Sequence, residues 1–307
     1  MKSQDKNKIN RREAIKRVGM TVAGAAFMLS GMPTLSSCDN KEKKRIVFYF
    51  TATGNCLYVA RHLSENLISI PQAFKQDKLS YEADEIGIVL PTYEGAPPEM
   101  VKKFLKKATL KADYLFAVIT YGVNHTSVVD EFQKTAAKGG KKFNYVRTIT
   151  MVDNYLPGFD MNEQKKGRSD ENGKKVDEKG LIANIKSEID SQKKWIEPVS
   201  DDDRNLRVWA LENLGQLLPA KCEDLFVVTG ACVSCGFCER VCPRGNYSIA
   251  NGIATCKGDC EFCLACAQNC PQKAITLAAG EKNPKARYRH PGIALADIVM
   301  ANNQMRI

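Results

Sequence analysis

One cysteine motif occurs twice between residues 232 and 271. The first copy reads CVSCGFCERVCP at residues 232–243, and the second reads CEFCLACAQNCP at residues 260–271. Both copies have the spacing C-x2-C-x2-C-x3-C-P, and every cysteine of the first copy recurs after the same interval (260 − 232 = 28). A repeat with a fixed interval indicates two equivalent structural units.

The spacing favours iron–sulfur chemistry. Three thiolates two residues apart wrap one face of an iron–sulfur cube, and soft sulfur ligands suit iron. Zinc and disulfides are the alternatives. Paired zinc sites use two cysteine pairs separated by a longer loop, and a disulfide framework does not need a tandem repeat with proline after each fourth cysteine. The motif therefore predicts two clusters.

The repeat resembles the signature of two-cluster bacterial ferredoxins, which carry two 4Fe–4S clusters and ligate each fourth cysteine to the other cluster. This resemblance implies one cluster on Cys232, Cys235, Cys238 and Cys270, and a second on Cys260, Cys263, Cys266 and Cys242. Cys222 and Cys256 fall outside the repeat, so we expect them to be small buried residues and not ligands.

The rest of the chain is ordinary in composition. Its 307 residues indicate about two domains. The net charge is +10, and residues 1–37 hold half of it, with seven basic and two acidic residues (7 − 2 = +5). No basic face with interleaved aromatic residues stands out elsewhere, so we expect no nucleic-acid partner.

The N-terminal charge belongs to a predicted export signal, residues 1–37. Residues 10–16, NRREAIK, resemble a twin-arginine motif, with Asn10 where Ser or Thr is usual and Ala14 in place of Phe. The apolar residues 18–29 are too short and glycine-rich for a membrane span, and a basic stretch before a short apolar one is a secretory signal. The alternative is a disordered basic tail beside a chance apolar stretch.

Residues 35–38, LSSC, resemble the lipobox of bacterial lipoproteins, in which the cysteine becomes lipidated. We therefore expect export by the twin-arginine route and a lipid anchor at Cys38 in the cell envelope, followed by a tether over residues 38–44. Clusters and flavins are inserted during folding in the cytosol, so a route for folded chains agrees with the cysteine motif.

Residues 45–160 show an α/β pattern. The apolar run IVFYF at 46–50 is typical of a buried parallel strand. A polar turn and a helical pattern follow it, which makes a phosphate cradle at a helix N-terminus. The alternative is a simple capped turn. This loop resembles the first loop of flavodoxins, which implies that the FMN phosphate is held by Thr51, Ala52, Thr53, Gly54, Asn55 and Cys56, with Cys56 where a hydroxyl residue is commoner.

Further strands are predicted at 86–90, 114–120 and 143–150, with helices at 99–107 and 127–138. The flavodoxin order 2-1-3-4-5 places FMN at the carboxyl edge of the sheet. The expected further contacts from these strand ends are Thr92, Tyr93, Thr120, Tyr121 and Gly122. Tyr93 and Tyr121 are predicted to pack on the flavin ring, the alternative being plain surface tyrosines. Residues 76–84 are short for the helix that a flavodoxin has there.

Residues 161–221 predict a helical linker with helices at 179–196 and 203–218, one of which covers the open face of the sheet. Trp195 and Trp209 are expected in that seam. A ferredoxin domain over 222–280 precedes a C-terminal tail, 281–307, that either wraps back over one domain or forms a basic docking surface. We expect His290 in that tail to be exposed.

Residues 45 to about 295 resemble the flavodoxin–ferredoxin fusion proteins of anaerobic bacteria. The resemblance implies a flavodoxin-like doubly wound parallel sheet followed by a small α+β two-cluster ferredoxin domain. It also implies electron transfer between the clusters and FMN, with a redox-protein donor and acceptor, a membrane oxidoreductase among the candidates. No catalytic residue is predicted. The alternatives are a flavin-dependent reductase of an extracytoplasmic substrate, with His125 as the plausible proton donor, and a non-catalytic subunit of a membrane redox complex.

Overall fold

A parallel sheet of six strands forms the centre of the structure. The computed structural model describes residues 43–167, 175–213 and 220–305, so the predicted export signal and Cys38 lie outside the described residues. The strands up to residue 200 are β1 (Arg45–Tyr49), β2 (Leu67–Ser69), β3 (Ser80–Glu82), β4 (Glu85–Pro91), β5 (Thr109–Lys111), β6 (Tyr114–Tyr121), β7 (Tyr145–Thr150) and β8 (Trp195–Ile196).

The strand order is β2-β1-β4-β6-β7-β8, with β3 and β5 paired separately. All pairs in the six-stranded sheet are parallel. With β4, β6 and β7 counted as third, fourth and fifth, this is the flavodoxin-like order 2-1-3-4-5. The order reverses between β1 and β4, and ligands of such sheets bind in the crevice that this reversal opens. The continuous apolar strands are buried on both faces, as parallel strands are.

Helices cover both faces of the sheet. The helices up to residue 213 are α1 (Asn55–Leu63), α2 (Ile70–Ala73), α3 (Glu99–Lys107), α4 (Val128–Lys138), α5 (Met161–Gln164), α6 (Glu178–Asp190) and α7 (Asp201–Asn213). Right-handed crossovers put α1 on one face and α3 and α4 on the other. Helix α6 packs beside α1 and buries Ile182, Ile185 and Ile189, so one linker helix covers the sheet, as predicted. The second crossover is reduced to the one turn of α2, in keeping with the short segment noted in the sequence.

The expectation for the two tryptophans is wrong. The predicted helix 179–196 ends at Asp190, and Trp195 lies instead in the edge strand β8. Trp195 is 37% exposed and Trp209 is 53% exposed. The three isoleucines of α6 already fill that part of the sheet surface. The ring of Trp195 is covered by a cation instead, because the Lys193 ammonium lies 5.2 Å from its centre.

The cysteine-bearing region consists of short elements. They are β9 (Ala220–Lys221), α8 (Cys222–Leu225), β10 (Phe226–Val228), α9 (Phe237–Val241), β11 (Tyr247–Ala250), β12 (Ile253–Cys256), β13 (Asp259–Cys260), α10 (Ala265–Asn269) and β14 (Ile275–Leu277). Helix α11 (Leu295–Asn302) follows in the tail.

The sequence repeat is also a structural repeat. Helices α9 and α10 have the same length and start 28 residues apart (265 − 237 = 28). Left-handed backbone occurs at Ser234 and Gly236 in the first copy and at the matching Phe262 and Leu264 in the second. Antiparallel pairing joins β10 to β14 and β11 to β12. The strand before the first motif thus pairs with the strand after the second, and the two strands between the motifs pair with each other.

The C-terminal tail wraps back onto the sheet, which decides between the two predicted alternatives. Ile293 and Ile298 belong to the same buried core as the strands. The expectation of an exposed His290 is wrong: it is 4% exposed, and its ring stacks on Tyr58 with centres 3.9 Å apart. Among the described residues, no helix combines the length and the apolar composition that a membrane span needs.

Candidate cofactor site

A cavity of about 530 Å³ opens at the carboxyl ends of β1, β4, β6 and β7. We call it the flavin cavity, after the ligand that the sequence predicts. Ten of the eleven predicted flavin contacts line it, namely Thr51, Ala52, Thr53, Asn55, Cys56, Thr92, Tyr93, Thr120, Tyr121 and Gly122. The fold thus brings together residues from three separate strand ends.

Gly54 is the exception. It starts helix α1 with a left-handed φ of +104°. A Cβ at this position would lie 2.9 Å from Ile293 Cβ and 3.1 Å from His290 Cβ. The side of Gly54 on which a Cβ would lie therefore faces the C-terminal tail and not the cavity, because the tail packs directly behind the loop.

The loop between β1 and α1, residues 51–54, has a defined orientation. Its three consecutive carbonyl oxygens accept hydrogen bonds from the C-terminal part of the chain: Thr51 O from Asn302 Nδ2 at 2.9 Å, Ala52 O from Asn269 Nδ2 at 3.1 Å, and Thr53 O from the His290 amide at 2.8 Å. In a planar trans peptide the N–H points opposite to the C=O. The amides of Ala52 and Thr53 therefore point away from the C-terminal part of the chain.

Several predicted phosphate ligands use their side chains to build the loop. The Thr53 hydroxyl accepts from Asn154 Nδ2 at 2.6 Å. The Asn55 amide group donates to Val152 O at 3.0 Å, and its oxygen accepts from the Tyr288 hydroxyl at 2.9 Å. The carboxamide of Asn55 thus has protein partners at both ends, which leaves phosphate recognition mainly to backbone amides.

Cys56 is a buried neutral thiol. Burial raises the pKa of Cys56 to about 12, against a smaller lowering by its contact with the Thr120 hydroxyl. The Sγ of Cys56 and the Oγ1 of Thr120 are 3.2 Å apart. Cys56 lies outside both groups of predicted cluster ligands, and its thiol fills the place of the commoner hydroxyl.

The residues of the flavin cavity fit FMN. The first turn of α1 carries no acidic residue, and a helix N-terminus offers free amides and a positive dipole end to an anion. Among the described residues the buried Thr92 Oγ1 has no hydrogen-bond partner, so it is available to a ligand. Planar aromatic side chains line the cavity, and such side chains suit a planar ring.

The cavity also has lining residues that the sequence did not predict, among them Tyr155, Phe159, Arg207 and Phe262. The signal for Phe262 was present, because the first copy of the cysteine motif has Ser234 at the matching position. An aromatic residue in only one of two equivalent loops indicates that this loop packs against a surface that the other loop does not meet. The other three come from segments without a motif.

The predicted cluster ligands gather around two smaller cavities. The outer cysteine cavity is lined by Cys232, Cys235, Cys238 and Cys270, and the inner cysteine cavity by Cys242, Cys260, Cys263 and Cys266 together with Cys222. Cys235 is exposed, whereas Cys263 and Cys266 are buried. Each cavity holds three cysteines of one motif and the fourth of the other, as the crossed assignment expects. Ligation itself stays a prediction.

The donor set of these cavities fits an iron–sulfur cluster. The amides of Asn246 and Ala274 donate to the Sγ of Cys242 at 3.4 Å and of Cys270 at 3.3 Å, and hydrogen bonds to sulfur tune clusters. Within the described ranges, no three His, Cys, Asp or Glu residues converge on one metal ion. A four-iron cube instead takes four cysteine thiolates, and four motif cysteines line each cavity.

The two cysteines outside the motif differ from each other. Cys222 is 1% exposed, as expected, and lies at the inner cysteine cavity, where burial raises the pKa of its thiol. Cys256 is only partly buried.

The second cysteine motif contacts helix α3 of the sheet domain through a buried glutamate. Glu261 is buried, and its Oε1 accepts from the Met100 amide in the first turn of α3 at 3.0 Å and from Arg244 Nε at 2.7 Å. Burial raises the pKa of Glu261, which Arg244 opposes. This contact holds the segment around Cys263 against the carboxyl edge of the sheet.

Cys263 and Leu264 line both the flavin cavity and the inner cysteine cavity. Tyr93 of the flavin cavity is close enough to Cys263 that the thiol contributes to the raised pKa of Tyr93, after the larger effect of burial. The two cavities therefore share a wall that Cys263 and Leu264 form.

No protein-family model and no curated protein matches the chain. Among solved structures, a flavoprotein in complex with FMN from Lactobacillus acidophilus NCFM is 15% identical, with a TM-score of 0.26, over 34% of this chain and 93% of that one. A putative flavoprotein from Bacteroides uniformis ATCC 8492 is 16% identical, with a TM-score of 0.28, over 36% and 92%. Rubredoxin oxygen:oxidoreductase from Desulfovibrio gigas is 11% identical, with a TM-score of 0.28, over 48% and 36%.

Similarity at this level does not identify the ligand of this chain. The strand order and the position of the flavin cavity nevertheless define the N-terminal part of the described chain as a flavodoxin-like α/β fold.

Proposed function

We propose that this protein transfers electrons between two 4Fe–4S clusters and a bound FMN. The observation that carries the proposal is the shared wall: Cys263 borders both the inner cysteine cavity and the flavin cavity. FMN, when bound, exchanges one or two electrons, whereas a cluster exchanges one. A chain that holds both side by side matches single electrons to a two-electron carrier.

Each group of residues has a distinct role in this proposal. The eight motif cysteines hold the clusters, and the amides at the start of α1 hold the FMN phosphate. Tyr93, Tyr155 and Phe262 cover the ring and exclude water from it. The outer cysteine cavity reaches the surface at Cys235, so it exchanges electrons with the partner protein. The order along the path is then partner, outer cluster, inner cluster and FMN.

A flavin-dependent reductase finds less support. His125, the plausible proton donor, does not line the flavin cavity. Its Nδ1 lies 3.0 Å from Thr126 O, and its ring stands edge-on to Tyr121 with centres 5.3 Å apart. A subunit of a membrane redox complex uses the same relay, and co-purification with a membrane oxidoreductase distinguishes that case from a free carrier.

Anaerobic reconstitution tests the relay. We expect about eight iron atoms, about eight sulfides and one FMN per chain, and fast oxidation of reduced clusters when FMN is added. Cys263→Ala should remove about half of the iron and block electron transfer to FMN. Cys256→Ala, which changes a cysteine outside the motif, is the matched control and should retain both. A wild-type chain that binds FMN without iron, or iron without FMN, would refute the proposal.

We further propose export by the twin-arginine route and lipid anchoring at Cys38, on the sequence pattern alone. Changing Arg11 and Arg12 together to Lys should leave unprocessed, cofactor-loaded protein in the cytosol. Cys38→Ala should release the exported protein from the membrane fraction. Unimpaired export of the first variant, or full membrane retention of the second, contradicts the corresponding part of the proposal.

A further inference from the structure

Two asparagines link the flavin loop to the cysteine motifs. Asn302 Nδ2 donates to Thr51 O at 2.9 Å and also to Val241 O at 3.2 Å. Asn269 Nδ2 donates to Ala52 O at 3.1 Å and also to Ala265 O in its own helix, α10, at 2.9 Å. Val241 and Asn269 are equivalent positions of the repeat, each directly before the fourth cysteine of its motif.

Both carboxamides use their donors and leave their acceptors unpaired. Asn302 is fully buried and Asn269 is 4% exposed. Among the described residues, neither Asn302 Oδ1 nor Asn269 Oδ1 has a hydrogen-bond partner. A buried polar atom without a partner is costly, so an apolar side chain would suit these positions better if only packing mattered. The NH₂ groups, which hold consecutive loop carbonyls, account for the two asparagines.

We propose that Asn269 and Asn302 are positioning residues for the FMN phosphate. By holding the carbonyls of Thr51 and Ala52 toward the cysteine-bearing part of the chain, they fix the amides of Ala52 and Thr53 in the opposite direction, where a phosphate accepts from them. FMN affinity therefore depends on two residues that touch no part of the flavin cavity. This inference rests on the proposed function, because it concerns the same site.

A comparison of FMN with riboflavin isolates the phosphate. In the full-length reconstituted protein, Asn302→Leu and Asn269→Leu remove the donors at similar volume. Each should weaken FMN binding about five- to tenfold, the effect of one lost hydrogen bond, and leave riboflavin binding within about twofold. Asn283→Leu is the matched control. Like Asn302, Asn283 lies in the tail, and its Nδ2 donates to Asp160 Oδ2 at 2.8 Å and not to a carbonyl of the loop.

The outcomes separate the inference from the proposed function. Equal weakening of FMN and riboflavin would mean a merely structural role and would overturn the inference, as would unchanged binding of both. A wild-type protein that binds neither flavin would overturn the proposed function and this inference with it. FMN bound by the wild type, with an unchanged preference over riboflavin in the variants, overturns the inference alone.

A measurement on the wild-type protein covers the case in which the variants fail to fold. Hydrogen exchange at the amides of Ala52 and Thr53 should slow when FMN is added and should not change with riboflavin. Equal protection by both flavins, or none by either, would contradict the proposed orientation of the loop.

Discussion

Replacing Gly54 by alanine tests how the tail packs behind the flavin loop. Gly54 has a φ of +104°, and the new Cβ would meet Ile293 Cβ at 2.9 Å and His290 Cβ at 3.1 Å. Neither neighbour moves easily, because Ile293 is 3% exposed and the His290 amide is bonded to Thr53 O. The substitution therefore combines a backbone cost with a steric one.

The two costs can be estimated separately. Left-handed backbone costs a residue with a Cβ about 1–2 kcal/mol, and overpacking a buried contact costs about 1–3 kcal/mol. Gly54→Ala should thus lower the free energy of unfolding by roughly 2–5 kcal/mol. Gly140 provides the control, because its φ is +71° and a Cβ there would meet nothing within 4 Å. Gly140→Ala should cost only the backbone part, about 1–2 kcal/mol.

Urea unfolding of the cofactor-free protein, followed by circular dichroism, measures these differences. In an Ile293→Gly background, the cost of Gly54→Ala should fall toward that of Gly140→Ala, because the closest contact, the Cβ of Ile293, is gone. If Gly54→Ala costs no more than Gly140→Ala in the wild-type background, the tail does not pack tightly behind the loop, which contradicts the prediction.

Three further predictions concern the cofactor sites. Cys242→Ala should damage the inner cluster, and Cys270→Ala should damage the outer one. Each variant should simplify the coupled electron paramagnetic resonance spectrum to that of one cluster. A Cys242→Ala spectrum that matches the spectrum of Cys235→Ala would mean that each cluster is ligated within one motif. Thr92→Val should loosen FMN about fivefold by isothermal titration without destabilising the cofactor-free protein, since its hydroxyl has no partner among the described residues; unchanged affinity would show that FMN does not use it. The raised pKa of Cys56, about 12, keeps its thiol neutral, so alkylation at pH 8 should label it only after unfolding, and rapid labelling of the folded protein would contradict its burial.

Local features of this protein follow from its sequence. The interval of 28 residues between the motifs predicts two equivalent units, and the units have matching helices and matching left-handed residues. The apolar run 46–50 with the polar turn after it indicates a strand, a loop and a helix, and β1 and α1 occupy those positions. These features depend on neighbours in sequence, so periodicity and spacing suffice to predict them.

The direction in which the flavin loop faces depends on tertiary structure. The Asn269–Ala52 and Asn302–Thr51 hydrogen bonds span 217 and 251 residues. Such contacts exist only because the tail and the cysteine-bearing region pack against the sheet, and no local pattern in residues 51–54 encodes them. For the same reason Gly54 faces the tail and not the flavin cavity, and the expected exposure of His290 is wrong. Spacing predicts which residues form each loop, but only the packing of distant segments decides which side of the loop remains for a ligand.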